Sequence, residues 1–187
     1  MIHHSVHEQI MMLNAQDLSG TINPNAKIKE VSISLASSDL SQISITSDQL
    51  ATSNNIDDDQ EQFVLVLNIT GVIVKYSDWY NVGTQSYMRI LDSIKNDSRI
   101  AGVVLRMDTG GGLVHGTPDF ADYLRAFNSI KPIVAFVDGY CCSAGLWIAA
   151  GAKFIIASKN ADAIGSAGTY GTVVDYSEFY KAMGIKV

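Results

Sequence analysis

The chain has 187 residues, of which 47% are apolar and 17% are charged, and its formal net charge is −6. This balance is typical of one globular domain with a sizeable core, and the acidic charge provides no electrostatic footprint for nucleic acid or an anionic membrane. No run approaches the roughly 18 uninterrupted apolar residues of a membrane span, and the first residues lack the layout of a secretory signal. The sequence therefore predicts a cytoplasmic protein.

The first 62 residues form a polar N-terminal arm. Residues 5–18 suit a helix, while KEVSISL (29–35) and QISIT (42–46) alternate apolar and polar residues, as half-exposed strands do. Residues 51–62 carry consecutive acids and few apolar side chains, which is typical of a linker. We expect residues 1–62 to be a small appendage with an acidic linker, followed by a core domain over 63–187.

The core begins with short apolar runs that alternate with helical patterns. The runs are rich in β-branched residues and suit strands buried on both faces: FVLVLNI (63–69), AGVVLRM (101–107) and PIVAFV (132–137). Between them, residues 82–95 and 117–129 place apolar side chains at helical spacing. This alternation predicts an α/β fold in which right-handed crossovers build a parallel sheet.

Residues at the helix starts suggest how each helix begins. Thr117 precedes Pro118, which indicates a threonine cap with proline at the first helical position. A later helix over 176–183 follows Asp175 and Glu178 in capping-box spacing and ends at Gly184.

Two glycine-containing segments follow neighbouring strands, DTGGG (108–112) and DGYCCSAG (138–145). Consecutive glycines permit positive φ angles and expose amide N–H groups, which suits an anion or an oxyanion. Neither the dinucleotide-binding spacing nor a phosphate-binding Gly-Lys-Ser/Thr is present, so we expect no nucleotide cofactor. A tight turn remains the alternative for the glycines. Asp108 is expected to cap the turn before them.

Ser143 precedes AGLWIAAGA, so it is either a helix N-cap or a nucleophile. The cap alternative weakens when both loops are considered together. A serine at a helix start beside a glycine loop supplies the two halves of an acyl-transfer site, a nucleophile and an oxyanion hole. Cys141 and Cys142 are adjacent, which excludes a disulfide scaffold, and we interpret both as small buried residues.

Three segments, taken in order, resemble the central motifs of the signal peptide peptidase A family of serine peptidases. They are GVVLRMDTGGG, KPIVAFVDGYCCSAGLWIAAGAKFIIAS and AIGSAGTYG, within residues 63–187. The resemblance implies a Clp/crotonase-like fold, a spiral of ββα units with a parallel sheet, and serine peptidase chemistry with a Ser-Lys dyad. We expect no cofactor and no metal. The family includes cytosolic and phage-encoded members.

Motif matching places the family's functional groups on particular residues. Ser143 takes the place of the nucleophile, and Gly111 and Gly112, joined by the amide of Ala144, take the place of the oxyanion hole. Ser166 takes the place of a hydroxyl that orients the lysine. Three positions depart from the pattern while remaining small: Gly110 replaces a proline, Ala144 a glycine and Ala167 a larger aliphatic residue.

The general base is the main departure. The resemblance implies a lysine beyond residue 187, so we expect the core to lack its C-terminal segment and residues 1–187 to be inactive alone. The four histidines all precede Ser143, which disfavours a Clp-type triad. His115 is expected to be an exposed loop residue, with a position lining the substrate cleft as the alternative. Lys153, Lys159, Lys181 and Lys186 are available but have no positional support.

Three functions remain open. A serine endopeptidase acting on peptide or protein substrates is the leading hypothesis. A non-catalytic assembly protein, such as a phage head scaffold on the same fold, is the first alternative, and a crotonase-like acyl-CoA enzyme is the second. The family also implies a homo-oligomer with shared active sites. Trp79, Tyr80 and Tyr87 form a candidate contact surface, with burial in the core as the alternative.

Overall fold

The structure is a computed structural model that describes the backbone of residues 27–31 and the whole of residues 62–186. In these ranges the strands are β1 (Lys27–Val31), β2 (Phe63–Ile73), β3 (Ile100–Gly112), β4 (Ile133–Cys142), β5 (Phe154–Ala157) and β6 (Ala163–Gly165). The helices are α1 (Thr84–Ile94), α2 (Thr117–Phe127), α3 (Ala144–Ala149) and α4 (Ser177–Ala182).

The strands form one parallel sheet with the order β1-β2-β3-β4-β5. The short strand β6 also pairs in parallel with β4, at the carboxyl end that β5 leaves uncovered. Helices α1 and α2 connect β2, β3 and β4 in sequence, so the predicted α/β class with a parallel sheet is confirmed.

Strands β2, β3 and β4 are buried on both faces over most of their length, as their continuous apolar runs predicted. Successive residues of β2 point to opposite faces, so Leu65 and Leu67 join one core cluster while Val64 and Val66 join another. The larger cluster contains the apolar faces of α1 and α2, including Ile90 and the other residues of those faces: Leu91, Ile94, Phe120 and Leu124. Helices α1, α2 and α3 therefore all pack on the same face of the sheet.

The ends of β3 and β4 differ from the sequence prediction. Both strands continue through the segments expected to be loops, as far as Gly112 and Cys142. An ideal Cβ on Gly112 would lie 2.2 Å from the carbonyl oxygen of Ile73 in β2, so only glycine permits the strands to remain so close there. The glycine segment is thus a strand end.

Two of the predicted helix caps are wrong. Helix α2 has Gly116 at its N-cap, and the Thr117 hydroxyl donates instead to the Leu113 carbonyl at 2.7 Å. Helix α4 begins after Tyr176, so Asp175 accepts from the Ser177 amide at 2.8 Å in a local turn. Glu178 pairs with Lys181 at 2.6 Å and forms no capping box. The backbone conformation of the residue before each helix determines where the helix begins, and the residue type alone does not predict that conformation.

The N-terminal predictions are only partly within the described residues. Strand β1 overlaps the strand predicted over 29–35, and it pairs in parallel with Phe63–Leu67 of β2. A segment of the predicted appendage therefore belongs to the core sheet. The helix over 5–18, the strand over 42–46 and nearly all of the linker over 51–62 lie outside the described residues, and the division at residue 62 stays a prediction.

The predicted aromatic surface is split by the fold. Trp79 and Tyr80 are 91% and 89% exposed, in agreement with a surface position. Tyr87 is wrong as a surface residue, because it lies on the inner face of α1, stacks on Phe120 and donates from its hydroxyl to the Asn68 carbonyl at 2.7 Å. Within the described part of the chain, no helix is both long and apolar enough to span a bilayer.

Candidate active site

Ser143 lies at the turn between β4 and α3, at the carboxyl end of the sheet. Its backbone has φ 52° and ψ −119°, a conformation that a residue with a side chain rarely adopts. The amide of Ser143 donates to the Gly165 carbonyl of β6 at 2.9 Å, which helps to hold the turn. A strained serine on a sharp strand-to-helix turn is the geometry that presents a nucleophilic hydroxyl.

Ser143 occupies the N-cap position of α3, but its hydroxyl makes no capping hydrogen bond. A capping residue normally has extended backbone angles, which aim its side chain at the free amides of the first turn. The positive φ of Ser143 directs the side chain elsewhere, so the cap alternative is wrong. The half-buried side chain instead lines an open pocket.

The pocket beside Ser143 has a volume of about 470 Å³. Its walls come from the end of β3, from α3 and from the segment after β6: Gly112, Val114, Ser143, Ala144, Leu146, Trp147, Ala150, Ala167, Gly168, Thr169 and Tyr170. Most of these side chains are apolar or small. Trp147 lies one helical turn after Ser143, and this four-residue spacing is the sequence signal that both side chains face the same side.

The glycine segment meets Ser143 directly. An ideal Cβ on Gly111 would lie 2.7 Å from the Ser143 Cβ and 3.1 Å from the Ala144 amide nitrogen, so the two backbones are in close contact. The two glycines differ in their surroundings. Gly112 lines the pocket, whereas the Gly111 amide donates to the Thr109 hydroxyl at 3.1 Å. Ala144 also lines the pocket, and as the first residue of α3 its amide has no partner within the helix.

Ser166 follows β6, which pairs with the last residues of β4. Gly165 is opposite Cys142 in that pairing, so Ser166 lies next to the Ser143 turn. Ser166 is exposed and has φ 51°, the second non-glycine residue with a positive φ in the described residues. The structure therefore places two strained serines side by side at one end of the sheet.

Asp108 has a different local role from the one predicted. Its carboxylate accepts a hydrogen bond from the Tyr140 amide at 3.1 Å, across the ends of β3 and β4. An ideal Cβ on Gly139 would lie 2.3 Å from the same carboxylate, so Gly139 leaves the room that Asp108 occupies. Asp108 thus ties the two glycine-containing segments together rather than capping a turn within its own strand.

The cysteines beside Ser143 are poor candidates for the nucleophile. Cys141 is buried, as predicted, and burial together with the neighbouring Cys142 raises the pKa of its thiol to about 11. A thiol with that pKa is almost wholly protonated at neutral pH. Cys142 is half-buried rather than buried, and its sulfur lies 3.7 Å from the Ala163 carbonyl of β6.

No lysine or histidine in the described residues forms a hydrogen bond with the Ser143 hydroxyl. Lys153 precedes Phe154, which pairs with Val134, eight residues and about 25 Å of strand before the end of β4. Lys181 is held by Glu178 on α4. His115 is exposed, as expected, and its Nε2 lies 3.3 Å from the Lys75 ammonium.

Lys131 has a pKa that burial lowers below its usual range, which is the property that a lysine base needs. Its ammonium donates to the carbonyls of Asp97 and Ile100 at 2.8 Å. Ile100 begins β3, and roughly 40 Å of strand separates it from Gly112 at the other end. Position therefore excludes Lys131 as the base for Ser143.

Comparison with known proteins bears on this site. Residues 125–187, which contain Ser143 and Ser166, match the model of peptidase family S49. The chain is related to the S49 peptidases. This relation confirms the resemblance to the signal peptide peptidase A family.

Two curated relatives of this S49-related chain are named as proteases. It is 28% identical over 127 residues to "Capsid assembly protease C" of Escherichia phage lambda, covering 64% of this chain and 28% of that protein. It is 27% identical over 124 residues to "Protease 4" of Haemophilus influenzae, covering 65% of this chain and 20% of that protein. The chain thus spans less than a third of the length of these two relatives.

Among solved structures, the S49-related chain is similar to a point mutant of the "1510-N membrane-bound stomatin-specific protease". The TM-score is 0.48 and the sequence identity is 18%, over 65% of this chain and 60% of that chain.

Proposed function

We propose that this chain supplies the nucleophile and the oxyanion hole of a serine endopeptidase. The observation that carries the proposal is the strained Ser143 turn, whose hydroxyl caps no helix and lines the same pocket as Gly112 and Ala144. The relation to S49 peptidases supports the same chemistry.

In the proposed reaction, the Ser143 oxygen attacks the carbonyl carbon of a peptide bond while a base takes the hydroxyl proton. The carbonyl oxygen becomes negatively charged and accepts hydrogen bonds from the amides of Gly112 and Ala144. Collapse of this intermediate breaks the C–N bond, and the amine leaves with a proton. Water then hydrolyses the acyl-serine. Gly111 would shape the strand end rather than donate, because its amide already binds Thr109.

The base in this proposal is a lysine that the described residues do not place beside Ser143. A lysine acts as a base only in its neutral form, and its ordinary pKa of about 10.4 leaves very little neutral amine at pH 7. Burial beside hydroxyl groups would have to lower that pKa to near 7. Ser166, strained and next to the Ser143 turn, is the hydroxyl that we propose for orienting the lysine.

A fluorophosphonate probe and a pH profile test the proposal in the full-length protein. We expect the probe to label Ser143, and kcat/KM for an unstructured peptide to rise with pH through a pKa below 10.4, because activity requires the neutral amine. Ser158→Ala is a suitable control for labelling, since Ser158 directly follows β5, away from the pocket lining. A folded full-length protein that neither reacts with the probe nor cleaves peptides would contradict the proposal.

The substrate in this proposal is an extended peptide or protein segment with an apolar side chain. The exposed strand end from Gly112 to Val114 would pair with the peptide as an added strand. Val114, Leu146 and Trp147 line the pocket and would contact that side chain. Burying apolar surface against such walls favours apolar over charged residues at this subsite.

We further propose that the protein assembles as a homo-oligomer. Apolar side chains after β4 are widely exposed in the single chain, including Tyr170 at 99%, Val173 at 96%, Phe179 on α4 and both Phe154 and Ile155 on β5. Exposed apolar patches of this kind mark contact surfaces. Light scattering of the full-length protein at micromolar concentration should give a mass of several chains, and a monomer at every concentration would contradict the assembly.

A non-catalytic assembly protein is the second candidate function. One observation favours it: a relative is named for capsid assembly. The two candidates differ in their response to the probe. An assembly protein would form oligomers of the same size with Ser143 intact or replaced by alanine, and it would remain unlabelled.

A further inference from the structure

Thr109 lies directly beneath the candidate site without lining its pocket. It belongs to β3, three residues before the pocket-lining Gly112, and its side chain is 2% exposed. The proposed reaction gives it no role. A buried hydroxyl in a strand end needs partners, and the partners of Thr109 connect three separate segments.

The Thr109 hydroxyl makes two hydrogen bonds. It donates to the Gly71 carbonyl of β2 at 2.6 Å, so its proton is committed to that bond. Its oxygen is therefore free to accept, and it accepts from the Gly111 amide at 3.1 Å. Gly71 has φ +74° and lies where the pairing between β2 and β3 shifts register. The hydroxyl thus links an irregular point of β2 to the irregular end of β3.

The methyl group of Thr109 faces the helix that follows Ser143. An ideal Cβ on Gly145 would lie 2.6 Å from the Thr109 Cγ2, so a side chain at position 145 would collide with this methyl group. Gly145 is buried in α3, two residues after Ser143. A single side chain therefore contacts the β2 irregularity, the glycine strand end and the nucleophile's helix.

We propose that Thr109 is a positioning residue for the oxyanion hole, an inference that rests on the proposed peptidase function. By accepting from the Gly111 amide, the Thr109 hydroxyl turns that amide away from the pocket and fixes the peptide before Gly111. Gly111 then has φ +108°, which reverses the next peptide and leaves Gly112 at the pocket. The methyl group adds packing between β3 and α3 at Gly145, whereas the positioning role belongs to the hydroxyl.

The loss of the hydroxyl should act on turnover more than on substrate binding. An oxyanion exists only in the transition state, so a misplaced donor lowers kcat while the ground-state complex is little changed. Removal of a donor costs about 10²–10³-fold in turnover, and a displaced donor retains part of its effect. We therefore expect Thr109→Val to lower kcat by about 10- to 100-fold and to change KM by less than about threefold.

Thr109→Ser distinguishes the effect of the hydroxyl from that of the methyl group, because it removes only the methyl group. Serine keeps both hydrogen bonds and loses the contact with Gly145, so we expect a lower Tm and a kcat within about threefold of the parent. Thr84→Val is the matched control, because Thr84 is also a buried threonine and its hydroxyl has no hydrogen-bond partner in the described residues. It should leave kcat unchanged.

The experiment compares the full-length parent with the three variants by kcat, KM, Tm and the hydrogen-exchange rate of the Gly111 amide. Thr109→Val should raise that exchange rate, and Thr84→Val should not. If the parent is active and Thr109→Val leaves kcat unchanged, the positioning role is overturned while the peptidase proposal stands. The same conclusion follows if Thr109→Ser has a kcat as low as that of Thr109→Val. An inactive, unlabelled parent would instead overturn the peptidase proposal, and the positioning role with it.

Discussion

Replacement of Ser143 by alanine in the full-length protein is expected to lower peptide hydrolysis by on the order of 10⁴–10⁶-fold. The hydroxyl is the group of this protein that forms a covalent bond to the substrate in the proposed reaction, and the loss of a serine nucleophile has effects of this size. The measurement is kcat/KM on an unstructured peptide, with fluorophosphonate labelling beside it. Cys142→Ala is the neighbouring control and should retain activity, because nothing in the proposed reaction uses that thiol.

Substitutions at position 143 also test whether the backbone of this turn is strained. Glycine accepts φ 52° and ψ −119° without the steric cost that alanine or serine bears there. Ser143→Gly should therefore unfold in urea with a free energy about 1–3 kcal/mol higher than Ser143→Ala, although both are inactive. Equal stabilities would show that the turn relaxes once the hydroxyl is gone, and residual Ser143→Ala activity would point to another nucleophile.

The second large effect is expected at Gly111. Gly111→Ala puts a Cβ 2.7 Å from the Ser143 Cβ and 2.9 Å from the Cys142 carbonyl oxygen, in a backbone with φ +108°. Relief of that overlap must move the glycine segment or the Ser143 turn, so we expect kcat/KM to fall by about 10²–10³-fold. The free energy of unfolding should fall by about 1–3 kcal/mol because of the strain.

Gly110→Ala is the matched control for Gly111→Ala. An ideal Cβ on Gly110 has no heavy atom within 4 Å, and the position lies one residue away in the same strand end. Its activity should remain within about threefold and its stability within about 0.5 kcal/mol of the parent. Gly112 is a less informative position, because a Cβ there meets the Ile73 backbone and would disturb the pairing of β2 and β3. Similar losses for Gly110→Ala and Gly111→Ala would show that the loss does not come from the contact between Gly111 and the Ser143 turn.

Local patterns predicted the central elements well. The runs at 63–69, 101–107 and 132–137 all lie in observed strands, apart from Pro132 just before β4, and the pattern at 82–95 contains α1. These predictions were confirmed because short β-branched runs and helical apolar spacing report which faces must be buried. The strand ends were longer than predicted, because glycines that interrupt a sequence pattern still pair with neighbouring strands.

Predictions that depended on one residue's backbone angles were less successful. Thr117 and Asp175 have side chains suited to a helix cap, and neither caps as expected. For Ser143 the cap was only the alternative, and its hydroxyl makes no capping hydrogen bond. Tyr87 was placed with two surface aromatics because it lies near them in sequence, whereas its position on α1 turns it into the core. Neighbours along the chain do not determine these outcomes, since packing against distant segments overrides local preference.

The sequence by itself determined the alternation of strands and helices, the order of the three motifs, and the presence of one serine beside two small-residue segments. The tertiary structure decided how those segments meet. Pairing of Thr109 with Cys141 brings together residues 32 positions apart, and the β4–β6 pairing adds Ser166 to the same end of the sheet. The structure also decided that Gly112 faces the pocket while Thr109 binds the Gly111 amide. Such contacts follow from strand register and positive φ angles, which arise only when the whole sheet is assembled.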